Sequence, residues 1–313
     1  SDPPESLTVD DLDLLPKEHD WTPGLSEAWE VGETAAHDRL KHYLESDKIK
    51  QYDDGRNRPD KDLTSRMSAY LAHGEISPRS IWYAVRHKMG ANDLSDGTFD
   101  SKADESMETY LSELGWREFG YNILYHHPKT LNQPLRDKYK KVRWQNDETA
   151  LKRWQKGETG IPIVDAGMRQ LWQTGWMHNR VRMIVGSLLV KNLLIPWQAG
   201  EAWFWDTLVD ADPASNTLGW QWVAGCGADA SPYFRIFNPV SQGERHDPKG
   251  EYVREFVPEI AALPDKYIHK PWQAPDDILK EANITLGQTY PKPIVDLKES
   301  RKKTLEAYSA IKE

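Results

Sequence analysis

The sequence predicts an all-α fold, on three observations. Apolar side chains recur at three- and four-residue spacing through most of the chain, residues that start and stop helices punctuate these stretches, and alternating apolar-polar strands are scarce. No internal repeat or low-complexity tract interrupts the pattern. A length of 313 residues suits one large domain, expected over residues 29–313.

Residues 1–28, rich in Pro and acidic side chains, read as a linker-like lead-in. The sequence opens Ser1-Asp2-Pro3-Pro4 without an initiator methionine, as expected of a fragment whose partner domain is missing. A helix is predicted over 34–47, with Thr34 as N-cap and Leu40, Tyr43 and Leu44 on its apolar stripe. Ser77-Pro78 is an N-cap and first-turn pair, and Ile81, Trp82, Val85 and Met89 follow at helical spacing until Gly90. From Glu105 to His126 the same period runs through Tyr110, Leu111, Leu114, Phe119 and Ile123. Asp147 opens a short helix that Gly157 ends. Pro162 starts the next, with Val164, Met168 and Leu171 as its buried stripe and Gly175 as a left-handed stop. His178–Leu194 is nearly apolar beyond its first turn, which predicts a central helix. Asp212-Pro213 reads as another N-cap with proline at N1, leaving Asp210 free to face a cation such as Arg182.

Composition narrows the function classes. With 38% hydrophobic and 28% charged residues, the chain has no apolar run near the roughly 20 residues of a membrane helix. The window Met183–Trp197 is broken by Lys191 and Asn192. A single cysteine, Cys226, excludes an intramolecular disulfide framework, and with no secretory signal a cytoplasmic monomer is expected. No metal-ligating set is expected. A net charge of -9 argues against non-specific coating of nucleic acid but allows a local basic face. Lys138-Tyr-Lys140-Lys141-Val-Arg143-Trp144 is one basic-aromatic cluster, and an ordinary solvated face is its plain alternative.

Fourteen tryptophans stand out because several sit among polar residues. Indole stacks on flat ligands and gives up an electron fairly readily, so planar-ligand and redox chemistry is favoured over hydrolysis. By helical arithmetic Tyr110, Glu113, Trp116 and Arg117 share one face, and Trp176, Asn179, Arg180, Arg182 and Met183 share another. The bland reading makes Glu113 and Arg117 an i,i+4 ion pair, worth roughly 0.2–0.5 kcal/mol, and the tryptophans core filling. Thr64-Ser65-Arg66-Met67-Ser68 offers hydroxyls, a guanidinium and backbone N–H groups near a helix start, suited to a pyrophosphate or simply to a helix cap. There is no G-x-G-x-x-G, so a dinucleotide would have to bind in a non-Rossmann way. Trp220 and Trp222 point roughly 200° apart on a helix, one inward and one outward.

Five stretches together resemble the photolyase/cryptochrome family: Thr64-Ser-Arg-Met-Ser68, Trp116-Arg-Glu-Phe119, Gly175-Trp-Met-His-Asn-Arg180, Trp220-Gln-Trp222 and Tyr233-Phe-Arg-Ile-Phe-Asn-Pro239. The likeness is to its large helical FAD-binding domain, from about residue 29 onward. The N-terminal α/β domain that helps to hold an antenna chromophore is not in the sequence, so no antenna can be assigned. The resemblance implies a U-shaped FAD with Tyr52 and Thr64–Ser68 near its phosphates. Glu113, Arg117, Asn179, Arg182, Asp210, Asp212 and Asn216 complete the cofactor set, Asn216 near flavin N5 and Arg182 paired with Asp210.

Trp220, Trp197 and Trp144 match the family's three-tryptophan relay toward photoexcited oxidised flavin. Met177-His-Asn-Arg180 lacks the paired histidines of (6-4) enzymes, and Asn216 stands where plant cryptochromes have aspartate. Both features are similar to class I cyclobutane pyrimidine dimer photolyases. The implied partner is ultraviolet-damaged DNA. Glu113 and Asn179 would contact the flipped dimer, Trp116 and Trp222 stack on it, Met183 pack beside it, and Arg180 and Arg235 hold flanking phosphates. Met67 for the commoner leucine, and Ala211 and Leu218 for glycines, are departures. The rival reading is a photosensory cryptochrome-like flavoprotein without repair, and a weaker third is a helical scaffold that has lost its cofactor.

Overall fold

The computed structural model describes residues 6–8, 10–14, 21–90, 102–232 and 234–311. Much of the expected lead-in, and Tyr233 of the last motif, lie outside this set. Among the described residues the architecture is helical, and the only β-type pairing is an isolated bridge between Leu286 and Tyr290. The all-α expectation holds.

Local chemistry places most of the helices. Ser77 caps Pro78–Lys88 by accepting from the Ser80 amide, and Asp147 caps Glu148–Gln155 by accepting from that of Ala150. Pro162–Thr174 ends at Gly175 in the left-handed region (φ 66°), where a Cβ would also lie 2.4 Å from Val209. Three expectations need correction. The helix predicted from 34 runs Glu33–Glu45 with Gly32 as its N-cap, so Thr34 lies inside the first turn. Residues 23–28 of the lead-in form a helix packed on Pro162–Thr174, and Trp29 Nε1 donates to the Thr174 carbonyl, so ordered structure begins before residue 29. The apolar segment after His178 is not one regular helix: Asn179–Ser187 is α-helical and Leu188–Asn192 is a π turn, with the Leu193 amide bonded to the Leu188 carbonyl.

The two polar residues in that turn account for its position. Lys191, fully buried, donates to the Ala224 carbonyl at 3.2 Å and sits 3.9 Å above the Tyr308 ring. Asn192 donates to Ser300 Oγ. The turn therefore fastens the C-terminal helix Leu297–Ser309 to Pro213–Ala224.

Apolar burial divides into two clusters. The larger surrounds Trp154, Val185, Leu189, Trp197 and Trp220, and the smaller surrounds Leu40, Ile49, Ile81, Tyr110 and Leu111. Helix Lys102–His126 joins them. Its first half buries Met107, Tyr110, Leu111 and Leu114 in the smaller cluster, while Gly120 approaches Ala214 and Leu218 of Pro213–Ala224. Beyond Leu114 the helix presents Trp116, Phe119 and Tyr121 to solvent.

Candidate flavin and DNA-lesion site

Asp210, buried before the helix Pro213–Ala224, is the meeting point of three segments. Arg182 grips it with two nitrogens at 2.8 and 3.1 Å, and the Ser68 hydroxyl donates to it at 2.6 Å. Arg182 also donates to the Met177 carbonyl at 2.7 Å. A bidentate guanidinium and a hydroxyl satisfy a carboxylate that would be costly to bury alone. The expected pairing of Arg182 with Asp210 is present, and it draws the Thr64–Ser68 stretch to the same point.

Asp212 caps its helix, accepting from the Ser215 amide at 2.7 Å, and its other oxygen accepts from the Tyr121 hydroxyl. Burial, then this hydrogen bond, pushes the Tyr121 phenol up. Arg117 lies 4.9 Å over the Tyr121 ring and pairs with Glu118 at 2.8 Å. The i,i+4 pairing of Glu113 with Arg117 is thus replaced. Glu113 instead faces Arg56 at 2.7 Å, and burial, opposed by Arg56, holds its carboxyl above the usual range.

Asn216 is buried one turn into Pro213–Ala224. Its Nδ2 donates to the Glu201 backbone at 3.0 Å and carboxylate at 3.2 Å. This fixes the amide with Oδ1 on the opposite side, free of any hydrogen bond from the described residues. Burial pushes the Glu201 carboxyl up, with the Asn216 contact opposing it.

The Thr64–Ser68 residues divide by role. Ser65 accepts from Tyr110 at 3.1 Å and from the Met67 amide at 3.3 Å, and Met67 belongs to the smaller core, so both are engaged internally. Arg66 is left-handed (φ 55°), stacks 4.7 Å over Trp176, and keeps a buried Nε without a hydrogen bond. Thr64 is half-buried. Tyr52 packs edge-on to Tyr110 at 5.0 Å beneath Arg56. These contacts make Tyr52, Ser65 and Met67 the scaffold beneath Arg56 and Arg66.

Among the residues expected to contact DNA, Asn179 donates to the Arg56 carbonyl at 3.3 Å, and Arg180 donates to the Asn57 amide oxygen while its Nε is buried and unpaired. Met183 is half-buried. Trp116 is 45% exposed, edge-on to Phe119 at 5.7 Å. Trp222 stacks on Phe237 at 6.3 Å and Arg235 lies 5.7 Å over the same ring, which ties these two together. No direct contact joins Trp116 to Trp222.

Of the three tryptophans expected to form a relay, Trp220 and Trp197 are buried and Trp144 is half-buried. Trp220 touches Trp154 and Phe204 at 6.2 and 5.0 Å. Trp197 and Trp144 line a common cavity. Sequence reasoning missed Arg56, Glu201 and Tyr121. Each partners a singled-out residue from a distant or differently facing position, a relation that helical spacing does not carry.

The residues fit FAD. The unpaired Arg66 nitrogen and the nearby helix start at Ser68 suit a pyrophosphate. The free Asn216 Oδ1 suits a ring N–H, and the Arg182–Asp210 pair suits a polar heterocycle. Together, fold and site define a helical flavin-binding domain.

The comparisons extend this. Residues 110–310 match the family described as the FAD binding domain of DNA photolyase, and the chain belongs to that family. It is 49% identical to a deoxyribodipyrimidine photo-lyase of Agrobacterium fabrum, spanning all of this chain and 65% of that protein. Identity to cryptochrome-1 of Arabidopsis thaliana is 41%, over 91% of this chain and 41% of that protein. A crystal structure of a bacterial class III photolyase from Agrobacterium tumefaciens superposes with a TM-score of 0.90 at 50% identity, covering 99% of this chain and 62% of the other. The chain thus spans less than two thirds of these relatives. A class I assignment finds no support in these matches. Among the described residues no helix is long and apolar enough to cross a membrane.

Proposed function

We infer that this helical domain carries out light-driven repair of cyclobutane pyrimidine dimers in DNA, with reduced FAD as the electron source. When bound and excited by blue or near-ultraviolet light, FAD supplies one electron to the lesion, and the electron returns after the cyclobutane ring splits. No net redox change results. The observation that carries this reading is the convergence of Arg182 and Ser68 on the buried Asp210, within a family whose similar members include photo-lyases.

The chain's residues have distinct tasks in this reading. Arg66 and the Ser68 amide end hold the pyrophosphate. Arg182 and Asn216 orient the isoalloxazine and lend it positive and polar surroundings. Glu113, whose carboxyl takes up a proton more readily than an ordinary one, donates that hydrogen to a pyrimidine carbonyl and so stabilises the extra electron there. Arg56 keeps the acid oriented. Trp116 and Trp222 stack on the everted pyrimidines, Met183 packs beside them, and Asn179 faces them. Arg180 and Arg235 hold the flanking phosphates. Extrusion costs a few kcal/mol, less at a lesion than at an intact pair. Trp220, Trp197 and Trp144 pass electrons inward when the resting flavin is oxidised. No antenna is assigned.

Incubating the protein with reductant, light and an oligonucleotide carrying one thymine dimer tests this. Recovery of intact thymines supports repair, and no recovery with flavin bound favours the photosensory alternative, to which the 41% identity with a plant cryptochrome gives weight. Position 216 favours repair, since plant cryptochromes resemble this region but carry aspartate there.

A further inference from the structure

His178, Asn179 and Arg180, at the start of the helix Asn179–Ser187, meet Gly55, Arg56 and Asn57 residue for residue. His178 Nε2 lies 3.2 Å from the Gly55 carbonyl, Asn179 donates to the Arg56 carbonyl at 3.3 Å, and Arg180 donates to the Asn57 amide oxygen, each across 123 positions. Only the first of these bonds is buried at both ends. Asn179 is exposed and Arg180, Arg56 and Asn57 are half-buried, where water competes for the same groups.

The Gly55 segment is also fastened to the helix Lys102–His126. The Asp53 amide donates to Ser106 Oγ at 3.1 Å, and Arg56 faces Glu113 at 2.7 Å. The segment therefore stands between the helix that carries Glu113 and Trp116 and the one that carries Asn179, Arg180 and Met183.

The tautomer of His178 follows from its other bond. The Arg180 amide donates to Nδ1 at 3.2 Å, which caps the helix and leaves the ring proton on Nε2, so Nε2 donates to the Gly55 carbonyl. Burial holds the imidazole down to about 4, opposed by the Gly55 bond and aided by Arg182, Arg180 and Arg66, and the ring is neutral at working pH. The Gly55 carbonyl also accepts the Arg58 amide at 3.0 Å, so the turn closes without the histidine. What the imidazole adds is the place of that turn relative to the helix.

We propose that His178 is a positioning residue for lesion recognition. Its Nε2–H fixes the Gly55 segment, and with it the Arg56–Glu113 pair, to the helix carrying Asn179, Arg180 and Met183, so that both faces meet the everted lesion as one preformed surface. This rests on the reading of Glu113 as a group that contacts the lesion.

Two substitutions divide the ring's bonds. His178→Asn places a carbonyl oxygen where Nδ1 was, keeping the cap and losing the reach to Gly55. His178→Gln places an amide N–H where Nε2 was, keeping the tether and weakening the cap. Flavin-loaded proteins are titrated in the dark, by fluorescence anisotropy, with a duplex carrying one thymine dimer and with the same duplex undamaged, and their thermal unfolding is recorded. His178→Gln should melt lower than His178→Asn yet prefer the dimer as the unaltered protein does. His178→Asn should lose that preference several-fold with flavin still bound, because the surface is no longer preorganised. A purely structural role does not produce these opposite orders of stability and preference. In an Arg56→Ala background His178→Asn should cost no further preference, since both changes interrupt one connection. An undiminished preference in His178→Asn overturns the proposal, as does a preference that follows melting temperature across the variants. Loss of flavin from both variants overturns it by making His178 a support of the cofactor site. Additive losses with Arg56→Ala overturn the route through Arg56. An unaltered protein that binds both duplexes alike overturns the repair reading itself, an outcome distinct from the others.

Discussion

Arg182 and Asp210 form a two-pronged ion pair, 2.8 and 3.1 Å, that also receives the Ser68 hydroxyl. Because Asp210 is buried while Arg182 is partly exposed, the pair is best tested by removing the cation. Arg182→Ala should lower stability by about 3 kcal/mol, the lower end of the cost of orphaning a buried charge. Arg182→Lys should recover only part, since an ammonium cannot bridge both oxygens. Urea unfolding measures the loss, and flavin absorbance after gel filtration shows whether the cofactor leaves with it. Unchanged stability in Arg182→Ala would show that Ser68 and solvent suffice for Asp210.

Trp220 lies against a helix that has no room for a side chain. A Cβ on Gly200 would stand 2.1 Å from Trp220 Cη2 and 2.5 Å from Cζ3. Gly200→Ala should therefore cost about 1–3 kcal/mol through overpacking and shift the indole. Near-ultraviolet circular dichroism and thermal unfolding report the shift. Trp220→Phe tests the proposed relay with less strain: photoreduction of oxidised flavin should fall sharply, while repair by chemically reduced flavin persists. Equal photoreduction in Trp220→Phe would place the inward path elsewhere.

Asp247 is fully buried and accepts the amides of Tyr252 and Val253, yet burial raises its carboxyl to about 7. Unfolded, the same group titrates near the ordinary 3.8 of an aspartate. Between those values the folded state holds the proton that the unfolded state has lost, so stability should fall as pH rises from about 4 to about 7. Urea unfolding at pH 5 and pH 8 should show this slope. Asp247→Asn, less stable at pH 5 because one amide loses its acceptor, should show a shallower one. An equal slope in the variant would assign the effect to other groups.

How much of this was legible in the sequence depends on the range of the interaction. Ser77, Asp147 and Asp212 were readable as caps because a cap is a local bond, and Gly175 because a left-handed stop is a local conformation. The π turn at Leu188–Asn192 was not, because its cause is Lys191 reaching the Ala224 carbonyl and Asn192 reaching Ser300, contacts across 33 and 108 positions. Helical spacing put Glu113 and Arg117 on one face, but a half-buried carboxyl took the guanidinium of a neighbouring segment, Arg56, over the one a turn away. The Arg182–Asp210 pair was anticipated from the cap at Asp212, which leaves Asp210 outside the helix. That Ser68 joins it follows only from the packing of the clusters.

Glu113 and Arg56 carry the most specific chemical prediction. If the Glu113 carboxyl donates a hydrogen to the lesion, Glu113→Gln keeps a donor but not an acid, and should retain bound flavin while repair yield falls several-fold. Glu113→Ala should fall further. Arg56→Ala removes the cation opposing the upward push of burial, so the carboxyl should titrate still higher and repair should hold to higher pH, provided DNA affinity is restored by added substrate. Loss of flavin from Glu113→Ala would instead make the residue a support of the cofactor site.

Arg235 is exposed and lies 5.7 Å over Phe237, which also stacks on Trp222, so its guanidinium is open to a phosphate. Arg235→Ala should bind dimer-containing DNA more weakly, and because one phosphate contact is lost, the logarithmic salt dependence should flatten by about 1. Filter binding from 50 to 200 mM salt separates this from a pocket defect. A pocket defect lowers affinity at every salt by the same factor and leaves the slope unchanged. A parallel shift would therefore mean that Arg235 acts through Phe237 and Trp222 on the stacking surface and not on the DNA backbone.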